Sequence, residues 1–162
     1  WNIYTSLANF LNFRCMYIFD IIVVTYVEHL KKILTHIVDS YHILEKIEDK
    51  PGDLAKIEKE MLKINGFIRV ISHKTDLDKI PNPDFKIIKT KFLKYLDDYS
   101  FEKEITTMAP LYSNDVSRIK NMRLKILVAL KNKNMINNVK ELLDNLRLNK
   151  KNVFYVVVGI IN

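Results

Sequence analysis

Four histidines, His29, His36, His42 and His73, are the first side chains to weigh, because a neutral imidazole serves both as a general base and as a metal ligand. On a helix, His29 and His36 stand seven residues apart and share a face, while His42 lies about 120° around from His36. Asp39 follows His36 by three residues, so a His-x-x-Asp pair is available. Two ligands do not make a zinc centre, and a third would have to come from another segment. Solvated or half-buried histidines are the plainer reading, and neither a metal nor a cofactor is expected.

Two sets of paired acids come next, Asp97 with Asp98 and Glu102 with Glu104. Acid–base catalysis needs one carboxylate of such a pair desolvated in a pocket. Both sets sit among lysines near a predicted helix junction, so a solvated face is expected. Cys15 is the lone cysteine, which rules out an intramolecular disulfide and a cysteine-based zinc site. A buried thiol in a reducing compartment follows. Gly52, Gly66 and Gly159 are isolated, so no glycine-rich loop cradles a phosphate, and no nucleophile-elbow motif is found. No catalytic constellation emerges, and neither enzymatic activity nor a small-molecule substrate is expected.

Charge is the stronger signal. The chain carries +7, and the segment from Arg118 to Lys151 holds ten basic residues against Glu141 and Asp144, a net of +8. The remaining residues sum to −1. Arg118, Lys120, Arg123, Lys125, Lys131 and Lys133 are therefore the candidates for binding an anionic partner: an acidic protein, a lipid headgroup or a nucleic acid. A solvated, lysine-biased face is the competing reading. This third of the chain has few aromatics (Tyr112, Phe154 and Tyr155), so it lacks the interleaving used by single-strand binders. Nucleic acid is thus the lesser candidate.

The elements that position these residues read as helices. With 162 residues, only 3 Gly and 4 Pro, and 48% hydrophobic residues, the chain suits a single globular domain over 1–162 and not a turn-rich β-sandwich. Trp1 in place of an initiator Met points to processing, trimming or a piece of a longer chain. Residues 16–48 carry apolar positions at steps of three and four, among them Leu30, Ile33, Leu34, Ile37, Tyr41 and Leu44. Lys50-Pro51-Gly52-Asp53 stops that helix, with Asp53 as the expected N-cap of the next. Leu54, Ile57, Met61, Ile64, Ile68 and Ile71 stripe this second helix, and Gly66 within it suggests close helix packing.

Residues 72–84, with prolines at 81 and 83, are the clearest predicted loop. Phe85, Ile88, Phe92, Tyr95 or Leu96, and Tyr99 stripe the next helix, and a short one follows from about Phe101 to Ala109. Ile119, Met122, Ile126, Leu127 and Leu130 stripe another; Ile136, Val139, Leu142, Leu143 and Leu146 the last clear one. Val153 to Ile161 is apolar enough to begin one more. Some seven or eight helices result. The expected fold is all-α, antiparallel helical hairpins stacked as an armadillo- or HEAT-like α-solenoid, with a compact helical bundle as the alternative. The apolar stretch 8–27 is interrupted by Arg14 and Asp20, each costing about 2.5–3.5 kcal/mol near a bilayer centre, so a buried helix is expected there and not a membrane span.

Residues 111–146 read LYSNDVSRIKNMRLKILVALKNKNMINNVKELLDNL. This stretch resembles the N-terminal trunk of adaptins, the large subunits of clathrin-associated adaptor complexes, and of their coatomer relatives. The likeness stands on Asn114-Asp115 at one turn, then Lys120, Leu124, Leu127 and Leu130 along a helix. It continues with Asn134 at a second turn and Val139, Glu141, Leu142 and Leu143 along the next helix. Upstream, Phe92 to Asp115 resembles the preceding repeat, so the likeness spans roughly residues 90–162. The turn around Asn134 is one residue shorter than the family spacing, Val153 to Ile161 is more β-branched than the family's Ala-rich helix, and residues 1–84 carry no matching motif.

The resemblance implies a cytoplasmic helical scaffold, peripheral on endomembranes. It would bind the other subunits of a vesicle coat in intracellular protein transport, its basic face meeting anionic lipid headgroups or an acidic partner. Two rivals make different predictions. A basic nucleic-acid-binding module predicts steep salt dependence. An enzyme predicts a deep polar pocket among His36, Asp39 and His42.

Overall fold

The computed structural model describes residues 28–74 and 83–148, together with Arg14 and Ile18. These residues form helices α1 (28–46), α2 (Asp53–Lys74), α3 (Pro83–Tyr99), α4 (Glu102–Met108), α5 (Val116–Asn132) and α6 (Met135–Leu148). The fold is all-helical, and no strand occurs among the described residues. The apolar stretch 8–27 is described only at Arg14 and Ile18, both helical and exposed, and Cys15 and Val153 to Ile161 lie outside the described residues. No helix among the described residues is long and apolar enough to cross a membrane.

The stripes read from the sequence are the buried faces. Leu30, Ile33, Leu34, Ile37, Tyr41 and Leu44 of α1 are buried, as are all six stripe residues of α2. Each such aliphatic side chain removed from water contributes about 1.5–3 kcal/mol, which is why the spacing dictates which face turns inward. All of them belong to one core cluster that also takes in Phe92 and Tyr95 of α3, Ile105 of α4, Ile126 and Leu130 of α5, and Val139 and Leu142 of α6.

The turns are built by residues that tolerate unusual backbone. Asp49 (φ 61°) and Gly52 (φ 88°) reverse the chain between α1 and α2. Asp53 is not the N-cap expected of it. It is the first residue of α2, and its carboxylate reaches back to accept from the Lys50 amide at 2.9 Å while pairing with Lys56 at 3.0 Å. Asp115 does cap α5, accepting from the Arg118 amide at 3.1 Å. Asn134 (φ 54°) makes the α5–α6 turn.

The predicted loop near 72–84 is shorter at both ends. Helix α2 continues to Lys74, its last turns holding the buried Ser72, whose hydroxyl donates to the Ile68 carbonyl at 2.8 Å. Pro83 begins α3, a first-turn position where proline's missing N–H is no loss. Gly66 is also not where helices meet closely, because a Cβ added there has nothing within 4 Å.

Helix α2 is the hub. It packs on α3, α4 and α5, and α6 packs on both α5 and α3. His36 of α1 stacks on Phe67 of α2 with ring centroids 5.5 Å apart. Asn65 of α2 donates to the Ser100 carbonyl at 2.9 Å and to Glu102 at 3.1 Å, and Arg69 pairs with Glu102, so α2 is pinned to the α3–α4 junction. The α5–α6 hairpin therefore rests on α2, on α3 and on the α1–α2 turn, not on the residue 85–109 segment alone. The Gly52 amide donates to the Ser113 carbonyl at 2.7 Å, which brings the α1–α2 and α4–α5 turns to one end of the molecule.

Candidate partner-binding surface

Helix α5 holds five of the six candidate cations and no acid: Arg118, Lys120, Arg123, Lys125 and Lys131. Its buried stripe fixes its rotation, and the rotation sends those cations to different places. Arg123 points inward. Its side chain is 13% exposed and forms a bidentate pair with Asp49, Nε to Oδ1 at 2.6 Å and a terminal nitrogen to Oδ2 at 2.8 Å, while another nitrogen reaches the Leu44 carbonyl at 3.4 Å. The pairing holds its guanidinium pKa above the ordinary value. Arg123 is thus a clasp between α5 and the α1–α2 turn, which takes it away from the surface assigned to it by charge alone. Nothing in the local sequence marks this, since Asp49 is 74 residues away.

The other five reach the surface in different states. Arg118 pairs with Asp115 at 3.3 Å and lies over the Tyr112 ring at 3.9 Å. Lys125 bonds Glu104 of α4 at 2.7 Å and sits 5.1 Å from the Phe101 ring centre. Lys133 lies 4.9 Å over the Tyr99 ring. Lys120 and Lys131 are exposed and have no ion-pair partner among the described residues. Of the basic residues further along, Lys140 is exposed, and the side chain of Arg147 and all of Lys150 and Lys151 lie outside the described residues.

Between these cations runs an apolar seam that charge counting misses. Leu124 and Val128, one helical turn apart, are 40% and 52% exposed. They form one wall of an open groove of about 620 Å³ whose opposite wall is Tyr99 and Phe101, at the α3–α4 junction. Phe101 carries φ 54°, a left-handed conformation costly for a bulky residue, and it packs edge-on against Tyr99 at 6.3 Å. A signal for the seam was present in the sequence: once the buried stripe of α5 is removed, Leu124 and Val128 remain as a second apolar line at i, i+4.

The residues first considered for catalysis do not converge on one deep pocket. His36, Asp39 and His42 are all exposed on α1. Asp39 and His42 line an open depression with Ile43 and Lys46, and His36 is instead against Phe67. His42 Nδ1 lies 3.0 Å from Glu45, and that contact is the main cause holding the Glu45 carboxyl below its usual range. No group of three or more metal-ligating side chains occurs among the described residues. Three of the four paired acids are engaged with cations: Asp98 with Lys94 at 3.0 Å, Glu102 with Arg69, and Glu104 with Lys125.

No family model matches this chain, and no curated protein or solved structure matches it either.

Proposed function

We propose that the chain is a non-catalytic helical scaffold of a vesicle-coat adaptor complex, acting in intracellular protein transport at the cytoplasmic face of endomembranes. The observation that carries the reading is the hairpin at residues 116–148, which falls on the segment that resembles the adaptin trunk. Asp115 caps its first helix and Asn134 makes its turn, two of the positions on which the resemblance rests. In this reading α3–α4 and α5–α6 are successive hairpins of the stack, in contact through α3 and α6. The segment α1–α2, which carries no matching motif, packs beside them through α2 and is tied to α5 by the Asp49–Arg123 clasp and to the α4–α5 turn by the bond between Gly52 and Ser113. The exposed seam and cations of α5 are then surface for neighbouring subunits.

Affinity purification of the tagged protein from its own cells tests this. The expected result is recovery with a fixed set of coat subunits and co-fractionation with membranes in the absence of detergent. Recovery alone, or with RNA that nuclease removes along with every partner, refutes it.

A further inference from the structure

We propose that the groove between α5 and the α3–α4 junction docks an acidic amphipathic helix of a protein partner. This rests on the scaffold reading only for the kind of partner; the groove's chemistry is independent of it. Three observations select the occupant.

The first is the helical geometry of α5. At 100° per residue, Lys120 and Lys131 fall on one flank of the Leu124–Val128 seam and Lys125 on the other, with Lys133 beyond the helix end. The open cations thus lie on the Lys120–Lys131 flank, while on the other flank Lys125 is paired with Glu104 and Asp98 lines the groove. This is complementary to a helix with apolar residues at i, i+4 and carboxylates on the one flank that faces Lys120 and Lys131. The second is that Lys120 and Lys131 are exposed without an acid partner among the described residues, on a helix that has no acid of its own. The third disfavours nucleic acid. The Tyr99 and Phe101 rings are half-buried and already have the Lys133 and Lys125 ammonium groups over them, so they are not free platforms for stacking bases. A phosphate backbone would also leave the seam uncovered.

The test is fluorescence anisotropy with the full chain and a labelled helical peptide of about 18 residues, carrying Leu on one face and Glu on the flank that meets Lys120 and Lys131. Binding is expected, weakening as salt rises. Val128→Asp is expected to weaken it roughly tenfold or more, as loss of a central apolar contact does. Lys120→Glu with Lys131→Glu is expected to weaken it and flatten its salt dependence. Both changes are at exposed positions; thermal melts check the fold, and Leu124→Gln is the second variant should Val128→Asp not fold.

Several results overturn the proposal. They are no binding, equal binding of the same peptide with Lys in place of Glu, or indifference to both seam variants. Tighter binding of a uridine oligonucleotide or of phosphatidylserine vesicles through the same residues overturns it as well. So does occupation of the groove by a peptide of residues 149–162, or a homodimer that Val128→Asp dissolves. Failure here leaves the coat reading standing on other surfaces, and failure of the purification leaves peptide binding to the groove standing.

Discussion

The Asp49–Arg123 clasp makes the most direct test of how this fold is held. Both side chains are about nine-tenths removed from water, and two short charge-assisted bonds join them across 74 residues of sequence. Breaking a buried pair from one side leaves the other charge unpaired, at a cost of about 3–5 kcal/mol. Residual exposure and the alternative bond to the Leu44 carbonyl place this pair at the lower end, about 3 kcal/mol for Arg123→Met. For a chain of this size each kcal/mol shifts the melting temperature by about 2–4 °C, so a fall of roughly 6–12 °C is expected.

Asp49→Asn is the matching change, because asparagine tolerates the left-handed backbone at this position and only the charge is lost. Circular dichroism melts and urea titrations of the two single variants and the double give the coupling. The double variant is expected to be little worse than Arg123→Met alone, a coupling of about 2 kcal/mol. Strict additivity of the two changes, or a shift under a degree for Arg123→Met, refutes the clasp. Lys120→Met is the control, expected to stay within about 0.5 kcal/mol of the parent.

Gly66→Ala has open space for its methyl group in mid-helix and is expected to stabilise by up to about 1 kcal/mol, read from the same melts; destabilisation would mean a contact at that site. Asp115→Ala removes the α5 cap and is expected to cost about 1 kcal/mol, recovered in large part by Asp115→Ser. Tyr95 is buried, and its hydroxyl has no hydrogen-bond partner among the described residues. Burial, reinforced by the Glu102 charge, pushes its pKa above the ordinary 10. Its contribution is fully present below pH 10 and is lost as pH rises from there toward the folded-state pKa, because only the unfolded chain ionises. Tyr95→Phe is therefore expected to be neutral or stabilising at neutral pH and to make stability less sensitive to alkali; a parent and variant with the same alkaline profile would refute it.

Much of the fold is legible residue by residue in the sequence. The steps of three and four in α1, α2 and α5 name the buried side chains, because a helix repeats every 3.6 residues and water expels whichever face is apolar. Where local reading fails, a nonlocal partner or a turn geometry decides. Asp53 reads as an N-cap but stands one residue further in, because Lys50 supplies a donor behind it. Pro83 looks like part of a loop until it is seen to start a helix. Gly66 suggests close packing that the neighbouring helices do not provide.

The candidate site divides the same way. The sequence by itself concentrates the positive charge in residues 118–151 and places most of it on one helix; it also leaves Leu124 and Val128 off the buried stripe. Only the tertiary structure decides that Arg123 turns inward to Asp49, that Lys125 is held by Glu104, that Lys120 and Lys131 remain open, and that Tyr99 and Phe101 complete a groove. The reason is physical: helical periodicity is set by neighbours three and four residues away, but an ion pair or a groove wall is set by whichever distant segment the core brings alongside.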